Sequence, residues 1–516
     1  MNYSIEHMRR LLSIITAFVI SFIVLVTLND YGITWDEPIN MANGTKYVQW
    51  LLHPNLNIVY EIFSVNQKID IHPPFARVIT GFTQEIFTQR LHMLDSIAGY
   101  RVSEVIFVFL LVFFLTYIAC EQLGLMIGIG VGIVFSFFPH VFFLSHIVTP
   151  DYPITTLWFI TVMIFMYEIK LKRVSLYSGI ILGFALLTKI HSLVLFFGMI
   201  FYWVCVYCSK YFSKSKHEDM SHLYIKLICL VLFSFLVYFI CWPWLWIDPL
   251  EKLIEYFFVQ YMHGFIPVYF FHSVYPNNPP WYYTPFMFFA TMPILFFIFI
   301  CVGMLYSIFR GKTWHKWMVF WMIYPILFFS LPFSPRYDGI RLFLPAYPFT
   351  ALVGGIGVQA LLTVSEHKWI KRCIGFAIFI GCIITFYQSI IVYHPYEQSY
   401  YNEIIGGIHG AEKKGLEIDY WGSSFVKVLP WINLQKGKIL CVVPWDLFSN
   451  FYESSGKIEK DVVFVKDFDT CNYAVVLMRK GVFQWYPGVS KIVENNSPIY
   501  SIKFSDVSLI NIYSIR

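Results

Sequence analysis

Residues 11–28 read LLSIITAFVISFIVLVTL, an unbroken apolar run; the chain turns polar at Asn29-Asp30 and soon reaches Trp35-Asp36-Glu37-Pro38. A spanning helix needs about 20 apolar residues, or about 17–25. The run meets that length and no small-residue cleavage site follows it, so it reads as a retained anchor rather than a removed signal. The rest of the chain agrees. Of 516 residues, 58% are hydrophobic and only 13% are charged, against about 45–50% and about 25% in soluble domains. The mean hydropathy is +0.61. An ordinary soluble enzyme is excluded, and so is a disordered chain, which needs low hydrophobicity and high charge. The net charge of +5 is small for this length and gives no case for nucleic acid.

The fold class expected is mainly α, a polytopic membrane helix bundle. About eleven apolar runs are candidate spans: 11–28, 103–120, 123–139, 152–169, 174–188, 191–208, 225–245, 285–308, 317–334, 342–362 and 373–392. Lys and Arg in short loops set orientation. Arg9 and Arg10 precede the first run; Lys170, Lys172 and Arg173, then Lys210, Lys214 and Lys216, then Arg310, Lys312 and Lys316, and finally Lys368, Lys371 and Arg372 follow the fourth, sixth, eighth and tenth. With eleven spans all of these clusters share one side, the cytoplasmic one. The N-terminus is then inside and the C-terminus outside.

This divides the chain into a membrane domain, 1–392, and an extracytoplasmic α/β domain, 393–516. Two long outer loops, 29–102 and 246–284, belong to the first. The loop 29–102 carries Asp30, Asp36, Glu37, Asp70, His72, Arg77, Asp95 and Arg101, and its stretch 75–93 has the spacing of an interfacial amphipathic helix. In the tail, charge rises and short strand-like runs appear (KILCVVP, DVVFVKDF, YAVVLMR, IYSIKF, VSLINIYSI), bounded by Gly, Asp and Asn. A helix is expected near 399–414. The ten cysteines show no metal-type spacing. Cys205-x-x-Cys208 closes an apolar run, and Cys441 and Cys471, alone in the tail, leave a disulfide open.

Few acids or bases lie inside the spans, whereas a coupled transporter usually carries them at mid-membrane depth. Chemistry is therefore expected at the outer membrane–water interface. Asp36 and Glu37 stand before Pro38, a residue suited to a first helical turn. They read either as acids at a helix N-terminus or as a general base or a binder of a cationic or hydroxylated group. His72-Pro73-Pro74-Phe75-Ala76-Arg77 puts a guanidinium near the membrane surface, suited to a phosphate or to snorkelling. Asp151, in His146-Ile147-Val148-Thr149-Pro150-Asp151, sits at the mouth of an apolar run, either as a cap or as a functional acid. His140, His146 and Asp151 match no closed metal-ligand set, so a divalent metal is possible but unsupported by spacing. Arg336-Tyr337-Asp338-Gly339-Ile340-Arg341 places two arginines in a short outer loop, which an anionic ligand would explain.

Together these motifs resemble the protein O-mannosyltransferase and aminoarabinose-transferase superfamily of C-type membrane glycosyltransferases. The likeness lies in an outer-loop Asp-Glu, then His-Pro-Pro-x-x-Arg, then an acid at the mouth of a later span. Further matches are Tyr100-Arg101-Val102-Ser103, Leu186-Leu187-Thr188-Lys189, Arg341-Leu-Phe-Leu-Pro-Ala-Tyr-Pro348, Tyr400-Tyr401-Asn402-Glu403, Gly406-Gly407 and Asp419-Tyr420-Trp421-Gly422. The resemblance spans nearly the whole chain. It implies a polyprenyl-phosphate sugar donor, a protein, lipid or glycan acceptor, and an inverting displacement with no certain cofactor. It implies Asp36 as the base on the acceptor hydroxyl, with Glu37 as a second acid. Arg77, Arg101 and Arg341 would hold the donor phosphate, and His72, Asp151, Arg336 and Tyr337 would contact substrate. Arg77 stands where the family usually has lysine. The setting it implies is a bacterial plasma (inner) membrane. Two other classes fit the same topology: a transporter or flippase of lipid-linked sugars, and an oligosaccharide polymerase or ligase using a diphosphate donor.

Overall fold

The computed structural model describes residues 2–63, 72–171, 176–212, 221–262, 266–364, 366–444, 451–453 and 455–515. Asp70, Lys172, Arg173, Lys214 and Lys216, named above, lie outside the described residues. The first half runs α1 (Asn2–Val26), α2 (Glu37–Leu52), α3 (Val59–Phe63), α4 (Phe75–Gln84), α5 (Ser96–Leu123), α6 (Leu125–Ser136), α7 (Pro139–Leu144), α8 (Asp151–Glu168), α9 (Tyr177–Leu186), α10 (Ser192–Phe212) and α11 (Ser221–Ile240). Then follow α12 (Pro249–Met262), α13 (Tyr283–Ala290), α14 (Ile294–Phe309), α15 (Thr313–Phe328), α16 (Tyr347–Val364) and α17 (Lys368–Phe386).

Among the described residues, six helical stretches are long and apolar enough to cross a membrane: Ser4–Asp30, Ser96–Leu123, Ser192–Phe212, Ser221–Ile240, Arg341–Thr363 and Lys368–Val392. A seventh is formed if α13 and α14, bent by 117°, count as one span. Each of the eleven runs read from hydropathy contains helix among the described residues, but several fall short of that test: α6 and α9 are shorter apolar helices, and α13–α14 is broken at Pro293. Hydropathy registers apolar composition and is blind to where a helix turns.

The bundle closes on an apolar core in which Val108, Leu111, Val112 and Leu115 of α5 are fully buried with Phe142, Trp158, Trp321 and Phe349. Asp95 starts α5 by accepting bonds from the N–H groups of Ile97 and Ala98 (2.9 and 3.1 Å). Two of the four N–H groups a helix start leaves unpaired are thereby satisfied.

The expected amphipathic helix in the first outer loop is α4, continued by a π-helical turn Glu85–Arg90. Its polar face points inward. Arg77, Thr80, Thr83 and Gln84 are buried, while Val78, Ile79 and Phe82 are partly exposed. α4 lies close against α2 because Gly44 faces Gly81: a methyl group on Gly81 would meet the Gly44 carbonyl oxygen at 2.2 Å.

The tail folds as expected in kind. All five strand-like runs are strands, β3 (Ile439–Val443), β4 (Val463–Val465), β5 (Tyr473–Leu477), β6 (Tyr500–Phe504) and β7 (Val507–Ser514), in one sheet of order β4-β3-β5-β7-β6. A hairpin, β1 (Val268–Phe270) and β2 (Ser273–Tyr275), comes from the second outer loop. β3 pairs in parallel with β4 and β5, whereas β7 is antiparallel to β5 and β6. The expected helix near 399–414 is shorter, α18 (Gly407–Lys413). Cys441 and Cys471 form a disulfide with Cα atoms 5.8 Å apart.

Sidedness is testable by single introduced cysteines at two exposed residues, Thr313 in a basic loop and Ser497 in the tail. A membrane-impermeant thiol reagent added outside intact cells is expected to label Ser497→Cys and to spare Thr313→Cys. Labelling of both, or of Thr313→Cys alone, contradicts the proposed orientation.

Candidate active site

Asp36 occupies the N-cap position of α2, yet its side chain makes no capping bond. The carboxylate is 37% exposed and lies 2.6 Å from Nη2 of Arg341. The capping alternative is thereby removed: this acid is spent on a partner 305 positions away.

Arg341 begins the turn that leads into α16 and its side chain is 5% exposed. It meets three carboxylates from three parts of the chain. Nη2 reaches Asp36, Nε reaches Asp151 Oδ2 at 3.1 Å, and Nη1 reaches Asp338 Oδ2 at 2.9 Å. The Trp421 ring lies 4.5 Å from its guanidinium carbon and the Tyr337 ring 5.8 Å. Asp151, fully buried at the start of α8, takes a second cation, Lys189 Nζ at 2.5 Å. Buried carboxylates need such partners, because desolvating a lone charge costs several kcal/mol or more.

Asp338 is itself pinned from the tail. Its Oδ1 accepts from Arg479 Nη2 at 2.6 Å and its Oδ2 from Trp421 Nε1 at 3.0 Å. Trp421 is presented by a turn that Asp419 builds, accepting from Gly422 N–H at 2.7 Å and Gln398 Nε2 at 2.6 Å. Gly422 takes φ +72° there, a conformation glycine adopts without cost.

Glu37, adjacent to Asp36, is differently placed. It is fully buried, with Oε1 2.8 Å from Arg101 Nε and Oε2 accepting from Arg101 Nη2 and the Thr34 N–H. Arg101 also donates from Nη1 to the carbonyls of Leu28 and Tyr31 and from Nη2 to that of Gly32. All five guanidinium N–H groups therefore end on protein atoms. The expectation that Arg101 holds a phosphate meets a side chain with no donor left in this structure; it fastens the end of α1 to the start of α2.

Arg336 is also committed elsewhere. Its side chain donates to the carbonyls of Pro279, Leu331 and Ser334, away from Asp36. Arg77 donates to Asn40 Oδ1 at 2.9 Å and to the His72 carbonyl at 3.0 Å. Arg77 and His72 line a small cavity with Asn40, Thr149, Pro150 and Thr188, next to the Asp151–Lys189 pair in sequence. Hence Asp36, Asp151, Tyr337 and Arg341 are brought together, His72 and Arg77 sit at the flank, and Glu37, Arg101 and Arg336 bond to other parts of the protein.

Sequence reasoning quoted Lys189, Asp338 and Trp421 inside motifs without assigning them, and it passed over Arg479 and Glu417. His140 and His146 do not join Asp151 at a metal: His146 Nε2 lies 2.8 Å from Thr27 Oγ1 and its Nδ1 contacts the Phe142 carbonyl. Among the described residues, no group of three or more His, Cys, Asp or Glu is arranged to hold a metal ion.

Helices of membrane-spanning length define an integral membrane protein, and its fold is that of the C-type glycosyltransferases. Residues 71–239 match the family model described as dolichyl-phosphate-mannose-protein mannosyltransferase. The whole chain is similar in structure to ArnT from Cupriavidus metallidurans in the apo state, with a TM-score of 0.52 and 13% identity over 97% of each chain. Further similar structures are the same ArnT bound to undecaprenyl phosphate (TM-score 0.47, 11% identity, 97% of this chain and 98% of that one), and the Archaeoglobus fulgidus oligosaccharyltransferase complex with Zn and sulfate (0.46, 10%, 96% and 73%). No curated protein sequence matches. The resemblance to membrane glycosyltransferases read from the sequence is borne out by the family match.

The Arg101 assignment yields a stability prediction. Arg101→Ala leaves Glu37 charged and unpaired in the interior, which costs about 3–5 kcal/mol. The expected result is a lowered melting temperature and little folded protein. A variant that melts like wild type but shows a raised donor KM would return Arg101 to the substrate site.

Proposed function

We propose that this protein transfers a sugar from a polyprenyl-phosphate donor to an acceptor hydroxyl on the outer face of the membrane, by a single inverting displacement. The observation that carries the reading is Asp36: a partly exposed carboxylate, free of capping duty, held 2.6 Å from a buried arginine. The family description, which names a lipid-phosphate-linked mannose, supports a donor of this class.

In this reaction the acceptor oxygen attacks the anomeric carbon. Its proton passes to Asp36, the new C–O bond forms, and the bond from that carbon to the phosphate oxygen breaks. Phosphate is a good leaving group, so the protein's task is a base, alignment and positive charge on the departing oxygen. Arg341 and Lys189 supply that charge. Arg341 has one N–H on each terminal nitrogen beyond the bonds described, and Lys189 has two. Arg77 and His72 flank the path of the lipid phosphate, and Tyr337 shields the guanidinium. Asp151 sets the position of both cations.

The outward orientation is supported by the basic clusters and by the Cys441–Cys471 disulfide, which suits an oxidising compartment. A bacterial plasma membrane with the N-terminus inside fits both.

The test is Asp36→Asn, which keeps volume and removes the base. Loss of a general base costs about 10²–10⁴ in rate. In a transfer assay at matched folded concentration, kcat is expected to fall by that range, while Glu37→Gln loses less. Retention of more than about a tenth of wild-type kcat, a loss below the low end for a base, would sink the assignment. A flippase would leave both variants equally active in translocation.

A further inference from the structure

We propose that Arg479, carried by the C-terminal sheet, is a positioning residue for the site: by taking one oxygen of Asp338 it leaves the Arg341 guanidinium available to Asp36 and to the donor phosphate. The inference rests on the phosphate-binding reading of Arg341 above.

Arg479 lies just beyond β5 and its side chain is 3% exposed. Nη2 is 2.6 Å from Asp338 Oδ1, Nη1 donates to the Tyr420 carbonyl at 2.6 Å, and the guanidinium carbon lies 5.4 Å from the Trp35 ring centre. One side chain thus touches the neighbour of Asp36, the neighbour of Trp421, and the acid that Arg341 shares.

Asp338 explains why this matters. It is 2% exposed and has φ +53°. Such a conformation in a non-glycine residue persists only where its surroundings over-determine it. Each of its oxygens faces one arginine: Arg479 on Oδ1 and Arg341 on Oδ2. Without Arg479, the buried carboxylate keeps Arg341 as its one cation and the Trp421 N–H on Oδ2, and Oδ1 loses its charged partner. The favoured answer is a two-point fork, which turns the guanidinium away from Asp36.

Charge works in the same direction. The connected cluster holds four acids (Asp36, Asp151, Asp338, Glu417) and three cations (Lys189, Arg341, Arg479). Removing Arg479 leaves two cations against four acids, a poorer seat for an anion. Glu417 completes the chain on the far side, with Oε1 3.6 Å from Arg479 Nε and 3.3 Å from the Tyr269 N–H. Among the described residues its Oε2 has no hydrogen-bond partner. Burial pushes its pKa up to about 7 against the pull of Arg479, so at pH 8 it is ionised and competes with Asp338 for Arg479.

The experiment measures binding of undecaprenyl phosphate, without sugar, to the detergent-solubilised full-length protein at pH 8, with melting curves for every variant. Arg341→Gln serves as the reference. Arg479→Gln is expected to weaken Kd about tenfold, in the range of coupling between residues of one ionic network, with Arg479→Lys within about threefold of wild type. Glu417→Gln is expected to tighten binding about threefold, a gain that damage to the fold does not produce. This second variant decides the matter if Arg479→Gln fails to fold. If Arg341→Gln binds as wild type does, the phosphate reading itself is wrong. If Arg341→Gln is weak while Arg479→Gln matches wild type and Glu417→Gln shows no gain, the positioning role alone is overturned.

Discussion

One guanidinium, that of Arg341, ties together carboxylates that enter from the first outer loop, the start of α8 and the loop before α16. A buried ion must find its counter-ions or cease to be charged, since the desolvation cost exceeds what apolar packing returns at a single site. Asp36, Asp151 and Asp338 therefore cannot be placed independently. The segments that carry them assemble around the arginine or expose unpaired charge. The same condition leaves the cluster with more acid than base, so an incoming phosphate competes with carboxylates for a limited number of N–H donors.

The tail takes part in this assembly. Asn402 donates from Nδ2 to the carbonyls of Phe289 and Met292, and its own N–H reaches the carbonyl of Ala290. These are backbone groups at the bend between α13 and α14, which a straight helix would have paired internally; in a membrane such groups must be satisfied by protein. Asp419 shapes the turn that presents Trp421, and Arg479 clamps Asp338. Tail and bundle share one polar network, in which the Tyr400-Tyr401-Asn402-Glu403 and Asp419-Tyr420-Trp421-Gly422 motifs have plain structural duties.

Much of this was legible before any coordinates. The five strands announced themselves as short apolar runs closed by Gly, Asp and Asn, and the acids at the outer ends of apolar segments pointed to an interfacial site. Asp151 stood out because a charge at the rim of an apolar run is costly without a purpose, Arg341 because two arginines in a short outer loop suit an anion, and Asp36 through the family resemblance. Glu37 and Arg101 stood out through that resemblance as well; Arg101 donates to Glu37 and to backbone carbonyls. Sequence shows where charges stand and not how many donors are already used. Arg479 and Glu417 were missed because their partners lie far off in the chain; Arg479 and Asp338 are 141 positions apart. The course of the spans is less legible for a related reason: the bend at Pro293 and the short α6 and α9 are tertiary facts that an average over apolar residues does not carry.

The most direct measurement of the central claim is an electron cryomicroscopy structure of the full-length protein in nanodiscs with undecaprenyl phosphate. The account predicts phosphate density within hydrogen-bond distance of Arg341 and Lys189, with the Asp36 carboxylate displaced from Arg341 and facing open space where an acceptor hydroxyl can enter. Phosphate density elsewhere, with Arg341 still bound to all three carboxylates, would contradict it.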